Sequence, residues 1–320
     1  SMAGKSAFPE LHPLALGSAS GVMNRAAYHF LRDADLVFAI GSSLTKHSMT
    51  TPIPEDKTFI QATEDPIDIG KNYDIDFPLI GDARLILEQF IDACTDLGGG
   101  PSGADGSTAD TIATLREQWL AEWTAKLTSG ETPITPYRVI GEFMSVVDPN
   151  DAIVTHDSGS PRDQLMPFYR SGGPRTYLGW GKSHGLGTGL GLNIGAKLAA
   201  PDKFVVNFMG DAAFGMTGLD FETAARNNIP ILTVVFNNST MAITAGAMAT
   251  SHELYSTRDI GGNYADMARA MGGWSEKVED PSDVAAAIQR ARAATEDGKA
   301  SLLEFITSEE SDFSHRAPFS

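Results

Sequence analysis

Short apolar runs alternate with amphipathic stretches along most of the chain. Asp35–Gly41 (DLVFAIG) is an apolar run closed by glycine, the pattern of a strand buried on both faces. Lys57–Thr63 and Phe77–Gly81 predict two further short strands, and Ala83–Cys94 (ARLILEQFIDAC) predicts a helix. Leu97–Asp110 is rich in Gly, Ser and Asp and reads as a linker. Beyond it, a helix over Thr111–Lys126 puts Ile112, Leu115, Trp119 and Trp123 close to one face. A second series predicts strands at Ala152–Thr155, Lys203–Met209, Ile229–Phe236 and Ser301–Thr307. Its helices are predicted at Leu192–Ala199, Gly218–Asn227, Tyr264–Met271 and Asp283–Ala294, the last with Ser282 as N-cap and Gly298 just past its end. Strands alternating with helices predict an α/β fold of two three-layer parallel-sheet domains. The expected boundaries are 1–96, a linker at 97–110, and 111–320.

Composition narrows the partners. The 320 residues carry 24 Lys+Arg against 41 Asp+Glu, a net charge of −17, which repels nucleic-acid backbones and anionic membranes. No apolar run approaches the ~20 residues of a membrane span. The single cysteine, Cys94, forms no internal disulfide, which fits a reducing, cytoplasmic location. Ser1–Ala7 has neither the charged n-region nor the apolar h-region of a signal peptide. The expectation is a chain that has lost its initiator Met or begins partway through something larger.

The chemistry concentrates in Gly185–Asn238. A glycine-rich run, Gly185-Leu186-Gly187-Thr188-Gly189-Leu190-Gly191, leads into a helix. The next strand stops at Gly210-Asp211-Ala212-Ala213, and the strand after it stops at Asn237-Asn238. Two parallel strands joined by a crossover helix bring Asp211 and Asn238 to one sheet edge, where α/β sheets bind ligands. One carboxylate and one amide oxygen are too few for a calcium cage but suit Mg²⁺ shared with a diphosphate. The small residues after Asp211 let main-chain N–H groups approach phosphate. Taken singly, these features also read as an ordinary turn, a solvated loop and close helix packing. A nicotinamide dehydrogenase competes, because glycines before a helix and an acidic strand end imitate the dinucleotide fingerprint. Against it, Trp180–His184 intervenes where a strand should enter the glycines, and Asn237-Asn238 goes unexplained.

The order and spacing of Ile194-Gly195, Pro201, Val206, Phe208, Gly210-Asp211 and Ala212-Ala213, closed by Asn237-Asn238, resemble the signature of the thiamine diphosphate-dependent enzymes. Within them the chain is similar to the acetolactate synthase-like decarboxylases and carboligases of 2-keto acids. Gly4–Glu10 with His12-Pro13, Asp35–Gly41, Asp65-Pro66, Ile69–Asn72 and Gly81-Asp82-Ala83 resemble that family's central domain. Leu186–Lys197 resembles the stretch carrying its hydrophobic wedge, and Tyr264–Gly272 the segment after its active-site loop. The resemblance implies a partial central domain at 1–96 and a diphosphate- and Mg²⁺-binding domain at 111–320. It implies that Asp211, the side-chain oxygen of Asn238 and the main-chain oxygen of Thr240 hold Mg²⁺. Gly210, Ala212, Ala213 and the backbone of Thr240, Met241 and Ala242 would hold the diphosphate. The His184 carbonyl would accept from the 4′-amino group, with Gly185 beside it and Leu186 as the wedge that folds the cofactor. The implied substrates are small 2-keto acids, whose decarboxylation or ligation the cofactor carries.

Several departures matter. The family's N-terminal pyrimidine-binding domain, which supplies the activating glutamate, has no counterpart, so the catalytic residue is unassigned. An incomplete central sheet would leave an apolar edge open. The resemblance then implies a fragment, inactive alone, of an enzyme that is a homodimer or homotetramer when complete; the alternatives are a subunit completed by a separate pyrimidine-domain chain and a regulatory paralogue without turnover. Asp157-Ser158-Gly159-Ser160-Pro161-Arg162 stands where relatives carry Gly-Gln-His, which leaves Ser160 as the diphosphate contact there. Gly41-Ser42-Ser43-Leu44 lacks the Arg-Phe-Asp-Asp run of flavin-binding relatives, which argues against FAD. His252 reads as an exposed loop histidine ahead of a substrate-closing residue, and Trp180 and Trp274 read as packing.

Overall fold

A computed structural model describes residues 1–19, 23–46, 51–99, 106–179, 185–242 and 247–314. In chain order the elements are α1 (Arg25–Asp33), β1 (Leu36–Ile40), β2 (Thr58–Thr63), β3 (Phe77–Ile80), α2 (Ala83–Asp96), α3 (Ser107–Leu127), α4 (Pro136–Val146), β4 (Ala152–His156), α5 (Ser160–Leu165) and β5 (Tyr177–Leu178). They continue with α6 (Thr188–Ala199), β6 (Phe204–Gly210), α7 (Asp211–Thr217), α8 (Asp220–Arg226), β7 (Leu232–Asn237), α9 (Ala249–Tyr255), α10 (Tyr264–Ala270), β8 (Trp274–Val278), α11 (Val284–Glu296) and β9 (Ser301–Ile306).

Two parallel sheets result, one ordered β1-β2-β3 and one ordered β5-β4-β6-β7-β9-β8. The chain is therefore α/β with parallel sheets, as the alternation predicts. In the larger sheet, period-two alternation sends Val206, Phe208, Val234 and Phe305 into one core with Trp119, Tyr137 and Phe143. Met209, Val235 and Leu302 point the other way, into a second core with Leu190, Phe214, Phe221 and Tyr264. Helices thus cover both faces, and the near-continuous apolar strands follow from that double burial. The small sheet is covered more thinly. Phe38 meets Phe90 of α2 at 5.0 Å between ring centres, yet α2 has no fully buried residue. Phe77, Ile80 and Ile91 stay exposed.

The predicted elements shift at their ends. Helix α3 begins at Ser107, four residues before the predicted start, so the stretch between helices is shorter than 97–110. Helix α6 starts at Thr188, inside the glycine run. Ser282 is not the N-cap of the late helix: a 3-10 turn at Pro281–Asp283 precedes α11, and Asp280 caps it by accepting from the Ser282 N–H at 2.8 Å. Gly298 does end that helix, with φ +84°.

Residues 1–18 bind along the β5 side of the large sheet. The Ser6 hydroxyl accepts from the Tyr177 N–H and donates to the Tyr177 carbonyl, which closes the strand edge. Beside it, buried Lys5 donates to both Glu10 carboxylate oxygens at 2.8 and 2.6 Å and to the Tyr169 carbonyl at 2.7 Å. Glu10 also accepts from the N–H and hydroxyl of Ser171. Burial pushes the Lys5 ammonium down in pKa, and the Glu10 charge opposes that. Breaking such a pair from one side leaves an uncompensated buried charge. Glu10→Ala should therefore cost about 3–5 kcal/mol in urea unfolding. Lys5→Met added to Glu10→Leu should recover much of it; a single variant as stable as wild type would show that the pair holds nothing.

Candidate functional site

The large sheet is in register so that Gly210 of β6 pairs with Phe236 of β7. Asp211 and Asn238 therefore leave the carboxyl ends of neighbouring strands side by side. They line one cavity of about 520 Å³, together with Ser160, Leu186, Gly210, Ala212, Ala213, Thr240, Met241 and Ala242. Most of the residues singled out from the sequence are thus brought to one wall. His184 and Trp180 lie outside the described residues. Gly185 is described but is not among the cavity-lining residues.

Asp211 is buried at the first position of α7. Its Oδ1 accepts from the Ala212 N–H at 2.8 Å and its Oδ2 from the Ser239 N–H at 2.7 Å. Burial raises its pKa, and these main-chain donors oppose the rise. Asn238 Oδ1 accepts from the Thr240 N–H at 3.1 Å, which shapes the turn after β7. The turn is held from outside as well: Ile260 N–H donates to the Ser239 carbonyl at 3.0 Å and Met241 N–H to the Arg258 carbonyl at 2.9 Å.

Three buried side chains to which the sequence reading gave no role stand behind or beside this wall. Glu304 of β9 accepts from Asn237 Nδ2 at 2.7 Å and from the Ala265 N–H at 2.7 Å, and Asn237 Oδ1 in turn accepts from the Ser239 N–H. Asp157 accepts from the N–H groups of Gly187 and Gly189. Gln164 lines the cavity with its buried side-chain oxygen unpartnered. The donor set of one carboxylate, one amide oxygen and main-chain groups fits Mg²⁺ with a diphosphate. Among the described residues no group of three or more His, Cys, Asp or Glu side chains is gathered around a metal position.

The model of the thiamine pyrophosphate enzyme C-terminal TPP binding domain matches residues 157–305, and that of the central domain matches residues 1–90. The chain belongs to the thiamine pyrophosphate enzymes. That membership sets the dehydrogenase reading aside. The chain is 27% identical over 308 residues to a probable acetolactate synthase large subunit of Methanococcus aeolicus, covering 90% of this chain and 50% of the relative. It is 28% identical over 336 residues to a sulfoacetaldehyde acetyltransferase of Alcaligenes xylosoxydans xylosoxydans, covering 95% and 55%. A probable acetolactate synthase large subunit of Methanocaldococcus jannaschii is 30% identical over 250 residues, 75% of this chain and 41% of the relative. The chain spans about half the length of the curated relatives it matches. No helix among the described residues is long and apolar enough to cross a membrane.

Other residues of the chain take structural places. His252 sits in α9, where its Nδ1 accepts from the Arg258 N–H at 3.4 Å, and it does not line the cavity. Trp274 is half-buried against the larger core. His156, fully buried at the end of β4, donates from Nδ1 to the Asp157 carbonyl at 3.0 Å. Burial pulls its pKa down to about 4 from 6.5. An unfolded His156 takes up a proton below pH 6.5 while the folded one stays neutral until about 4, so stability falls as pH drops through that window. Wild type should lose about 3 kcal/mol more than His156→Gln between pH 7 and 4. Equal pH slopes in urea titrations of the two would remove the assignment.

Proposed function

We propose that this chain is the cofactor-holding part of a thiamine diphosphate- and Mg²⁺-dependent decarboxylase or carboligase of 2-keto acids, of acetolactate synthase-like type. The observation that carries the reading is the meeting of the Asp211 carboxylate and the Asn238 amide oxygen on one cavity, inside the stretch matched by the TPP-binding family model. Asp211, Asn238 and the Thr240 carbonyl would hold Mg²⁺. Gly210, Ala212, Ala213, Ser160 and the backbone of Met241 and Ala242 would hold the diphosphate. Leu186 would sit under the ring system, with Gly185 and His184 at the pyrimidine. When bound, the cofactor supplies a nucleophilic carbon and an electron sink for a 2-keto acid. The chain's own part is to fix the charged end of the cofactor, exclude water with the apolar wall of Pro136, Phe236 and Leu186, and orient the reacting end.

A pyrimidine-binding domain with its activating glutamate would complete the site, from the rest of a longer chain or from a separate one, in a homodimer or homotetramer. Relatives named as acetolactate synthase large subunits and as sulfoacetaldehyde acetyltransferase support small oxo substrates as the class. The lone, exposed Cys94 supports a cytoplasmic location.

Asp211→Ala should abolish Mg²⁺-dependent thiamine diphosphate binding in calorimetry, because an unneutralised diphosphate would be repelled by the acidic chain. Unchanged affinity would remove the metal assignment. The chain alone should turn over no pyruvate or other 2-keto acid, and gain turnover once a pyrimidine-binding domain is supplied. Robust turnover by the isolated chain would overturn the incomplete-site reading.

A further inference from the structure

We propose that Asp157 positions Leu186 against the bound cofactor, acting as a buried clamp on the glycine-rich segment. The inference rests on the thiamine diphosphate reading above. Asp157 follows β4 and is fully buried, and it is not among the residues lining the cavity. It is therefore a positioning residue, acting through another.

Its two carboxylate oxygens are used separately. Oδ1 accepts from the Gly187 N–H at 2.9 Å and the Ser158 N–H at 2.7 Å, and Oδ2 accepts from the Gly189 N–H at 2.8 Å. Gly187 is the N-cap of α6 and Gly189 lies in its first turn, where N–H groups have no partner within the helix. A carboxylate there also meets the positive end of the helix. These N–H groups, rather than a cation, support the charge: burial raises the Asp157 pKa and all three hydrogen bonds lower it.

The segment has no room to slide. Gly187 has φ +93°, and a Cβ there would lie 2.1 Å from Thr217 Cγ2. A Cβ at Gly189 would lie 2.4 Å from Asn207 Oδ1 and 3.0 Å from Asp157 Oδ2. Thr217 adds a hydrogen bond from its hydroxyl to the Gly187 carbonyl at 3.2 Å. Leu186 is the residue immediately before this gripped turn, and it reaches both the cavity and the second core. The height of its side chain in the cavity is thus set by the carboxylate behind it.

Asp157→Asn replaces one acceptor oxygen by an NH₂ that faces a glycine N–H. In the full chain without ligand, amide hydrogen exchange of peptides covering 185–191 should speed by about tenfold, the worth of one hydrogen bond to a charged group. Protection of 204–210 and 232–237 should stay at the wild-type level. Gly189→Ala, whose Cβ would crowd Asn207 as well as the same carboxylate without removing charge, should also speed exchange at 185–191. With Mg²⁺ present, thiamine diphosphate affinity read by tryptophan fluorescence should fall by about tenfold in Asp157→Asn, while inorganic pyrophosphate affinity holds. Adding Asp157→Asn to Leu186→Ala should lower it no further than Leu186→Ala alone, since Asp157 acts through Leu186. Unchanged exchange at 185–191, or losses that add in the double variant, would overturn the proposal. A wild-type chain that binds Mg²⁺ and pyrophosphate but not thiamine diphosphate would refute the cofactor reading instead, and the exchange result would then decide the clamp by itself.

Discussion

The parallel pairing of β6 with β7 is the constraint on which the site depends. With Gly210 held opposite Phe236, Asp211 and Asn238 emerge on the same edge, each immediately after its strand ends. A one-residue slip would turn Phe208 and Val234 out of one core and Met209 and Val235 out of the other, so burial on both faces locks the register. The same packing that stabilises the domain thereby sets the spacing between a carboxylate and an amide oxygen. Helix α7 then begins at the cavity wall, with Gly210, Ala212 and Ala213 lining it.

Three buried carboxylates divide the work around that edge. Glu304 holds Asn237 and the start of α10, and Asp157 holds the glycine-rich turn. Both are closed in by their partners, so their role is scaffolding. Asp211 is different, because it receives main-chain N–H groups and still faces the cavity. Burial works against its charge, and a cation at that position would relieve the cost. An acidic chain of net charge −17 has all the more need of that cation before it accepts a diphosphate.

Much of this was legible in the sequence, because it is local. Apolar runs ending in Gly-Asp and Asn-Asn mark strand ends, and the small residues after Asp211 mark close approach. The parallel α/β class followed from alternation alone. What could not be read were contacts between residues far apart in the chain. Nothing near Asp157 announces Gly187 and Gly189, and nothing near Glu304 announces Asn237. The strand Trp274–Val278 was missed because WSEKV carries charges at an edge position, where one face is wet. Helix α4 was missed because its start depends on a Thr135 cap and Pro136, a signal easily taken for a loop. The Asp280 cap was not legible because a 3-10 turn before α11 has no distinct pattern of its own.

The central claim is that Asp211 and Asn238 share one metal ion that carries the diphosphate of the cofactor. Its most direct test is a crystal of this chain grown with Mn²⁺ and thiamine diphosphate, read by anomalous scattering. A single strong peak within coordination distance of an Asp211 carboxylate oxygen and of Asn238 Oδ1, with diphosphate density beside it, is the predicted result. Cofactor density with the Mn²⁺ peak remote from both residues would contradict it.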